Sequence, residues 1–189
     1  MQEALYTISN GLYILSAKDN EKLCGSLVDA VSQIAVSPNL IMVSCMNTSR
    51  TKECIEQSGE FGLSVLPENI NPYIVANFGY QSSRDINKWE NVAKTEIDGL
   101  PYIPNALAKI RAKVVEILKY PNNTVFIAEV INAFDVKEGA PLTYKHYRDE
   151  FKEQCIKSFA PANSPEEKSN HKQWVCTLCG YVYDGEIPF

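Results

Sequence analysis

Near the end of the chain, in "WVCTLCGYVYDGEIPF", Cys176 and Cys179 stand three apart and offer two thiolates to one soft metal ion if the loop between them turns tightly. Gly180 follows directly, which lets the backbone curl so that amide N–H groups point at sulfur. Two thiolates are half of a tetrahedral all-sulfur site, so this pair needs a second pair from elsewhere. A redox-active dithiol is the competing chemistry. In that arrangement the second cysteine lies within a helix, whereas "GYVYDG" continues with strand-like alternation and a turn, which favours metal.

A second chemical stretch is "MNTSRTKEC". A strand ends there and a helix begins, so Asn47, Thr48, Ser49, Arg50 and Thr51 gather free N–H groups, hydroxyls and one guanidinium, the donors a phosphate accepts from. No Glu or Gln falls three residues after Thr48, Ser49 or Thr51, so no capping box closes this helix start. In "SSRDINKW", Arg84 and Lys88 are four apart and share a face if the segment is helical; they would either aim two cations at a bound anion or pair with Asp85 on the surface.

The elements that must position these residues are read from pattern. "LYTISNGLYILSA" places two apolar runs around Asn10-Gly11, a hairpin signal. "LCGSLVDAVSQIAVSPNLIMVSCMN" reads as two strands joined by a tight turn at Pro38-Asn39. "SRTKECIEQSG" reads as a helix stopped by Gly59, and "FGLSVLP" returns to strand. "ENINPYIVANFGYQSSRDINKWEN" predicts a helix, a glycine break and a second short helix. "ALAKIRAKVVEILKYPNNTVFIAEVINAFDV" alternates on both sides of "PNNT" and predicts a long hairpin. Strands dominate and no βαβ alternation is visible, so the expected class is mainly β, a closed antiparallel barrel with helical insertions. The polar stretch from 151 to 173 reads as a linker. The expected domains are thus 1–150, a linker over 151–173, and a small module over 174–189.

Composition narrows the partners. A net charge of −5 leaves no electrostatic footprint for nucleic acid. No apolar run approaches the roughly 20 residues of a membrane span, and the start "MQEALYTISN" lacks a basic region followed by an apolar one, so a cytoplasmic protein without a membrane partner is expected. Cys24, Cys45, Cys54 and Cys155 are scattered and read as small buried hydrophobes rather than a disulfide framework. His146 and His171 read as a barrel-edge and a linker residue.

Five stretches, "CGSLVDAVSQIAVSP", "SCMNTSRTKECIEQSGEFGLSVL", "FGYQSSRDINKW", "NNTVFIAEV" and "APLTYKHYRD", occur in an order that resembles the flavin reductase family, whose fold is an FMN-binding split barrel. The resemblance implies FMN as cofactor, NADH or NADPH as electron donor, and a homodimer that builds the flavin site at its interface. It places the flavin against the backbone of Leu27, Val28, Asp29, Ala30 and Val31 and its phosphate at Asn47 to Thr51, with Arg84 and Lys88 nearby. Asp29 and Ala30 stand where the family often has Ser, Thr or Asn, and Asn123 where it commonly has His, so no catalytic histidine is assigned. The tail resembles the opening of rubredoxin through Val175, Cys176, Cys179, Gly180, Tyr181, Tyr183 and Asp184. Rubredoxins hold one iron in two such knuckles, of which this sequence carries the first, so the second pair comes from a downstream segment or another chain. A split barrel followed by rubredoxin is similar to the high-molecular-weight rubredoxins, which pass electrons from nicotinamide through FMN and iron to a flavodiiron protein. A flavin reductase with a structural zinc knuckle, and a non-enzymatic flavin-binding module, remain the alternatives.

Overall fold

The computed structural model describes residues 2–20, 22–159, 173–175 and 182–184. A short helix α1 (Gln2–Leu5) precedes strands β1 (Tyr13–Asp19), β2 (Lys22–Val28), β3 (Val31–Val36) and β4 (Asn39–Met46). Helix α2 (Arg50–Ser58), strand β5 (Glu60–Val65) and helix α3 (Pro72–Gly79) follow. A small hairpin β6 (Thr95–Ile97) and β7 (Leu100–Tyr102) leads into the long strands β8 (Ala108–Lys119) and β9 (Asn123–Phe134). The chain then coils through α4 (Tyr144–His146), a π-helical turn (Tyr147–Phe151) and α5 (Lys152–Phe159), and a last pair of strands is β10 (Gln173–Val175) and β11 (Val182–Asp184).

Seven strands form one antiparallel ladder in the order β2-β1-β5-β8-β9-β4-β3. Its two edge strands, β2 and β3, are consecutive in the chain and separated only by Asp29 and Ala30. So short a connection spans roughly 10 Å, so the sheet must curl until its edges meet. Ala30 already belongs to the β3 side of this junction: Ser44 N–H donates to Ala30 O at 2.9 Å, which carries the β3–β4 ladder one residue further. The register shift at Arg111/Ala112 leaves Ile131 of β9 as an extra residue and the one at Val114/Glu116 leaves Val115 of β8, a bulge on each strand of the kind that bends a curling hairpin.

Two apolar clusters divide the interior. One joins Leu15, Val43, Phe61, Leu63, Phe126 and Ala128 from the strands to Cys54 and Ile55 of α2. The other packs Ile14, Leu66, Val75, Phe78, Trp89, Phe151 and Cys155, so that α3 and α5 cover the far side of β1. That second layer comes so close that a Cβ at Gly25 would meet Phe78 Cε1 at 2.6 Å and Trp89 Nε1 at 2.8 Å; within the sheet, one at Gly62 would lie 2.5 Å from Ser16 Oγ on the neighbouring strand β1.

The structure bears out the mainly β barrel, α2 with its left-handed stop at Gly59 (φ 72°), and the long β8–β9 hairpin. It corrects four local expectations. Asn10-Gly11 makes no hairpin; Gly11 bridges Thr143 instead, because the first segment is held by the chain near residue 142. The stretch read as two strands is three, β2, β3 and β4. "SSRDINKW" forms turns, not a second helix, and Arg84 and Lys88 share no helical face. The segment read as a linker from 151 begins as helix: Phe151, Cys155 and Phe159 recur at helical spacing and face the α3 layer, an apolar stripe hidden in polar surroundings. His146 accordingly lies on α4, while residues 160–172, with His171, fall outside the described residues.

Lys88 is buried at 4% exposure, and its Nζ donates to Phe78 O at 2.9 Å, near the C-terminal end of α3. Burial pushes its pKa from the ordinary 10.5 down to about 8. Between those values the unfolded chain still holds the proton that the folded chain has lost, so unfolding free energy from this group rises with pH across the window. Urea unfolding of the protein and of Lys88→Met should show their difference moving in favour of the protein by up to roughly 3 kcal/mol over that range. A difference that stays flat or falls contradicts the assignment.

Candidate functional site

The nine-residue helix α2 opens on Ser49, whose φ of −71° and ψ of 127° are those of an N-cap but whose side chain makes no capping bond. Its first N–H groups are therefore presented outward with the positive end of the helix dipole. The strand end before it is held by Asn47. That side chain donates to Tyr120 O (2.9 Å) and Pro121 O (3.1 Å) and accepts from Thr124 Oγ1 (2.8 Å), which ties β4 to the β8–β9 turn. Asn47, expected as a cofactor contact, thus spends its amide on positioning the loop.

Thr51, one residue into α2, is 1% exposed, and its Oγ1 has no hydrogen-bond partner among the described residues. A buried hydroxyl left unpaired costs on the order of 1–3 kcal/mol. An oxygen-rich anion at the uncapped helix start would answer both the open N–H groups and this hydroxyl, so the residues present fit a phosphate.

The charges beside it form an alternating chain. Arg50 is bonded to Asp19 at the end of β1 and, at 3.0 Å, to Glu53; Glu53 is bonded in turn to Arg84. Glu53's hydrogen bond holds the Arg50 pKa above its usual value, and those from Arg84 and Arg50 hold Glu53 below its own. Both guanidiniums are fixed in direction by these bonds, and an arriving anion competes with carboxylates for them. Arg84 therefore joins Arg50 through a shared partner, whereas Lys88 faces inward to Phe78 O.

Leu27 to Val31 run along the barrel seam. Leu27 packs against the α3 layer and beside Gly79, Val28 is 9% exposed, and Val31 borders the inner cluster. Val31 N–H donates to Asp29 O at 3.1 Å. Burial raises the Asp29 pKa, opposed by hydrogen bonds from the backbone of Asp29 and Ala30. Sequence reasoning missed Ser26, whose Oγ is also buried without a partner, and the acidic members of the charge chain. Only the i,i+3 spacing of Arg50 and Glu53 announced any of that chain; Asp19 comes from a distant strand.

Among the described residues no group of His, Cys, Asp and Glu is arranged to hold a metal, and Cys176 and Cys179 lie outside them. The strands on either side of that pair, β10 and β11, register Val175 with Val182 and Gln173 with Asp184. Val182–Asp184 is thus strand rather than helix, as the alternation in "GYVYDG" implied.

Comparison with known proteins places this geometry. The flavin reductase like domain matches residues 5–153. The high molecular weight rubredoxin of Moorella thermoacetica is 30% identical over 193 residues, covering 96% of this chain and 82% of that protein. The NAD(P)H ferric-chelate reductase of Archaeoglobus fulgidus is 34% identical over 147 residues, covering 77% of this chain and 87% of that protein. Among solved structures, the styrene monooxygenase flavin reductase of Pseudomonas putida superposes with a TM-score of 0.65 at 28% identity, covering 75% of this chain and 90% of that one. With a β barrel closed at Asp29-Ala30, an anion-ready helix start at residues 49–51 and a domain match over most of its length, the chain belongs to the flavin reductase-like family.

Proposed function

We propose that the barrel binds FMN, takes electrons from NADH or NADPH, and passes them through a rubredoxin-type iron centre at the tail to an acceptor such as a flavodiiron protein. The observation that carries the flavin half is the orphan hydroxyl of Thr51 at an uncapped helix start. In this reading the α2 N–H groups and Thr51 Oγ1 donate to the FMN phosphate, and Arg50 and Arg84, aimed by Glu53, supply positive charge at its edge. The backbone of Leu27 to Val31 lies against the ring, and Lys88 holds the turn segment that carries Arg84 in place. Bound FMN would supply hydride acceptance from the nicotinamide and release of single electrons; the protein contributes placement and shielding from water.

The iron half rests on the tail. The likeness to the Moorella thermoacetica protein leaves too little of the chain outside it to exclude Cys176 and Cys179. These would give two of the four thiolates of a tetrahedral iron site. A tether raises the local concentration of such an acceptor near the flavin. The alternative of a plain flavin reductase has the likeness to the ferric-chelate reductase behind its reductase half alone, since that likeness covers 77% of the chain.

A homodimer is part of the proposal. Ile34 and Val36 on the edge strand β3, and Val115, Ile117 and Leu118 on β8, are exposed apolar side chains that a second copy would cover. A sedimentation mass of one chain with flavin bound would contradict it. No described helix is long and apolar enough to cross a membrane; a cytoplasmic place is part of the proposal.

Thr51→Val removes a hydroxyl with no hydrogen-bond partner among the described residues, so the fold should keep its stability while FMN binding weakens by about 1–3 kcal/mol. Titration of FMN fluorescence reads this, and unchanged affinity in a folded variant removes Thr51 from the site. For the tail, adding a second CxxC segment downstream should raise electron delivery to a one-electron acceptor protein by about tenfold or more at equal flavin loading. Equal rates would put the structural-zinc reading in its place.

A further inference from the structure

Cys24 on β2 and Cys54 on α2, 30 residues apart in sequence, are joined by a disulfide with their Cα atoms 6.9 Å apart. The reading of the scattered cysteines as buried is correct for all four, at 2% exposure or less, but nothing in their spacing announces this pairing. Its position bears on the anion site. Cys54 follows Thr51 by three residues and Arg50 by four, so it lies on the same side of α2 as the first turn. Its neighbour Glu53 is the carboxylate that joins Arg50 to Arg84.

On the other side, Cys24 O accepts the Trp89 Nε1–H at 3.1 Å, and Gly25 exchanges hydrogen bonds with Ser83 Oγ, at 2.8 Å through its carbonyl and 3.3 Å through its N–H. The segment carrying Arg84 is therefore fastened to the strand that the disulfide fastens to α2. One covalent bond ties together three pieces of the candidate site: the helix start, the turn with Arg84, and the strand running into Asp29-Ala30.

We propose that Cys24 and Cys54 form a redox-sensitive clamp that controls anion binding at the start of α2. The step is thiol–disulfide exchange with a small dithiol. The protein S–S bond breaks, each sulfur takes up one electron and one proton, and the dithiol, losing two of each, closes its own S–S bond. A low-molecular-weight disulfide runs the reverse step. In the cytoplasmic place proposed above, disulfides are commonly transient or sensing rather than structural. Cys45 is not part of the device, since it stays a free thiol outside the Cys24–Cys54 pair, with its pKa pushed by burial up to about 12. Reduction releases α2 from β2, and the helix start and Arg84 lose their common anchor. This functional half rests on the reading of α2 as the flavin phosphate site.

The test uses the full chain prepared without reductant. Alkylation, digestion and mass measurement should yield a linked peptide pair carrying Cys24 and Cys54, and FMN affinity should fall on the order of tenfold after dithiothreitol. Oxidised glutathione should restore it, Cys45→Ala should keep this response, and Cys24→Ala with Cys54→Ala should be insensitive and resemble the reduced protein. Free thiols at both positions from the outset, or equal FMN affinity before and after reduction, overturn the inference. If neither form binds FMN, the flavin reading is what fails. The clamp is then judged by the thermal midpoint, expected to be lower after reduction and unchanged if the pair does not hold α2.

Discussion

Two residues, Asp29 and Ala30, carry the chain from one edge of a seven-stranded ladder to the other. A flat sheet with that strand order would need them to cross its full width, several times the strand spacing of about 4.8 Å. Curling is the only geometry that satisfies both the ladder and the short connection. From this follow the bulges in β8 and β9, the inner apolar cluster and the placement of α2 against it. The outer apolar layer can approach the barrel closely because Gly25 leaves room for Phe78 and Trp89.

The site at the start of α2 inherits its character from that closure. β4 must end where the β8–β9 turn can hold Asn47, so the helix begins at a fixed place with its N–H groups uncommitted. Around it, Asp19, Arg50, Glu53 and Arg84 balance in sign, which keeps two cations in place without a bound anion. Partly exposed ion pairs of this kind contribute little to stability, so their value lies in direction rather than in energy. The buried Thr51 hydroxyl is different: it has no hydrogen-bond partner among the described residues.

Local signals survived folding where their partners were also local. The uncapped start at Ser49, the stop at Gly59 and the alternation of β9 all depend on neighbours within a few residues, and each was legible. Asn10-Gly11 has strong turn character, yet Leu12 exchanges its backbone bonds with Leu142 and Leu66, and that distant pairing prevailed. The fourfold spacing of Arg84 and Lys88 suggested a shared face, but the burial of Trp89 and the bond from Lys88 to Phe78 O turn the segment inward. Phe151, Cys155 and Phe159 were readable as a helical stripe, and polar neighbours concealed it. Asp19 with Arg50, and Cys24 with Cys54, are contacts that only the folded chain creates.

The central claim is that this family member holds a flavin at the start of α2 and reduces it with a nicotinamide. The direct measurement is anaerobic mixing of the FMN-loaded chain with NADH and, separately, NADPH, while the flavin's visible absorbance is followed. The account predicts that FMN stays with the protein through gel filtration and that at least one nicotinamide bleaches it in a single enzyme-dependent phase. A protein that retains no FMN, or bound FMN that neither nicotinamide bleaches, would contradict it.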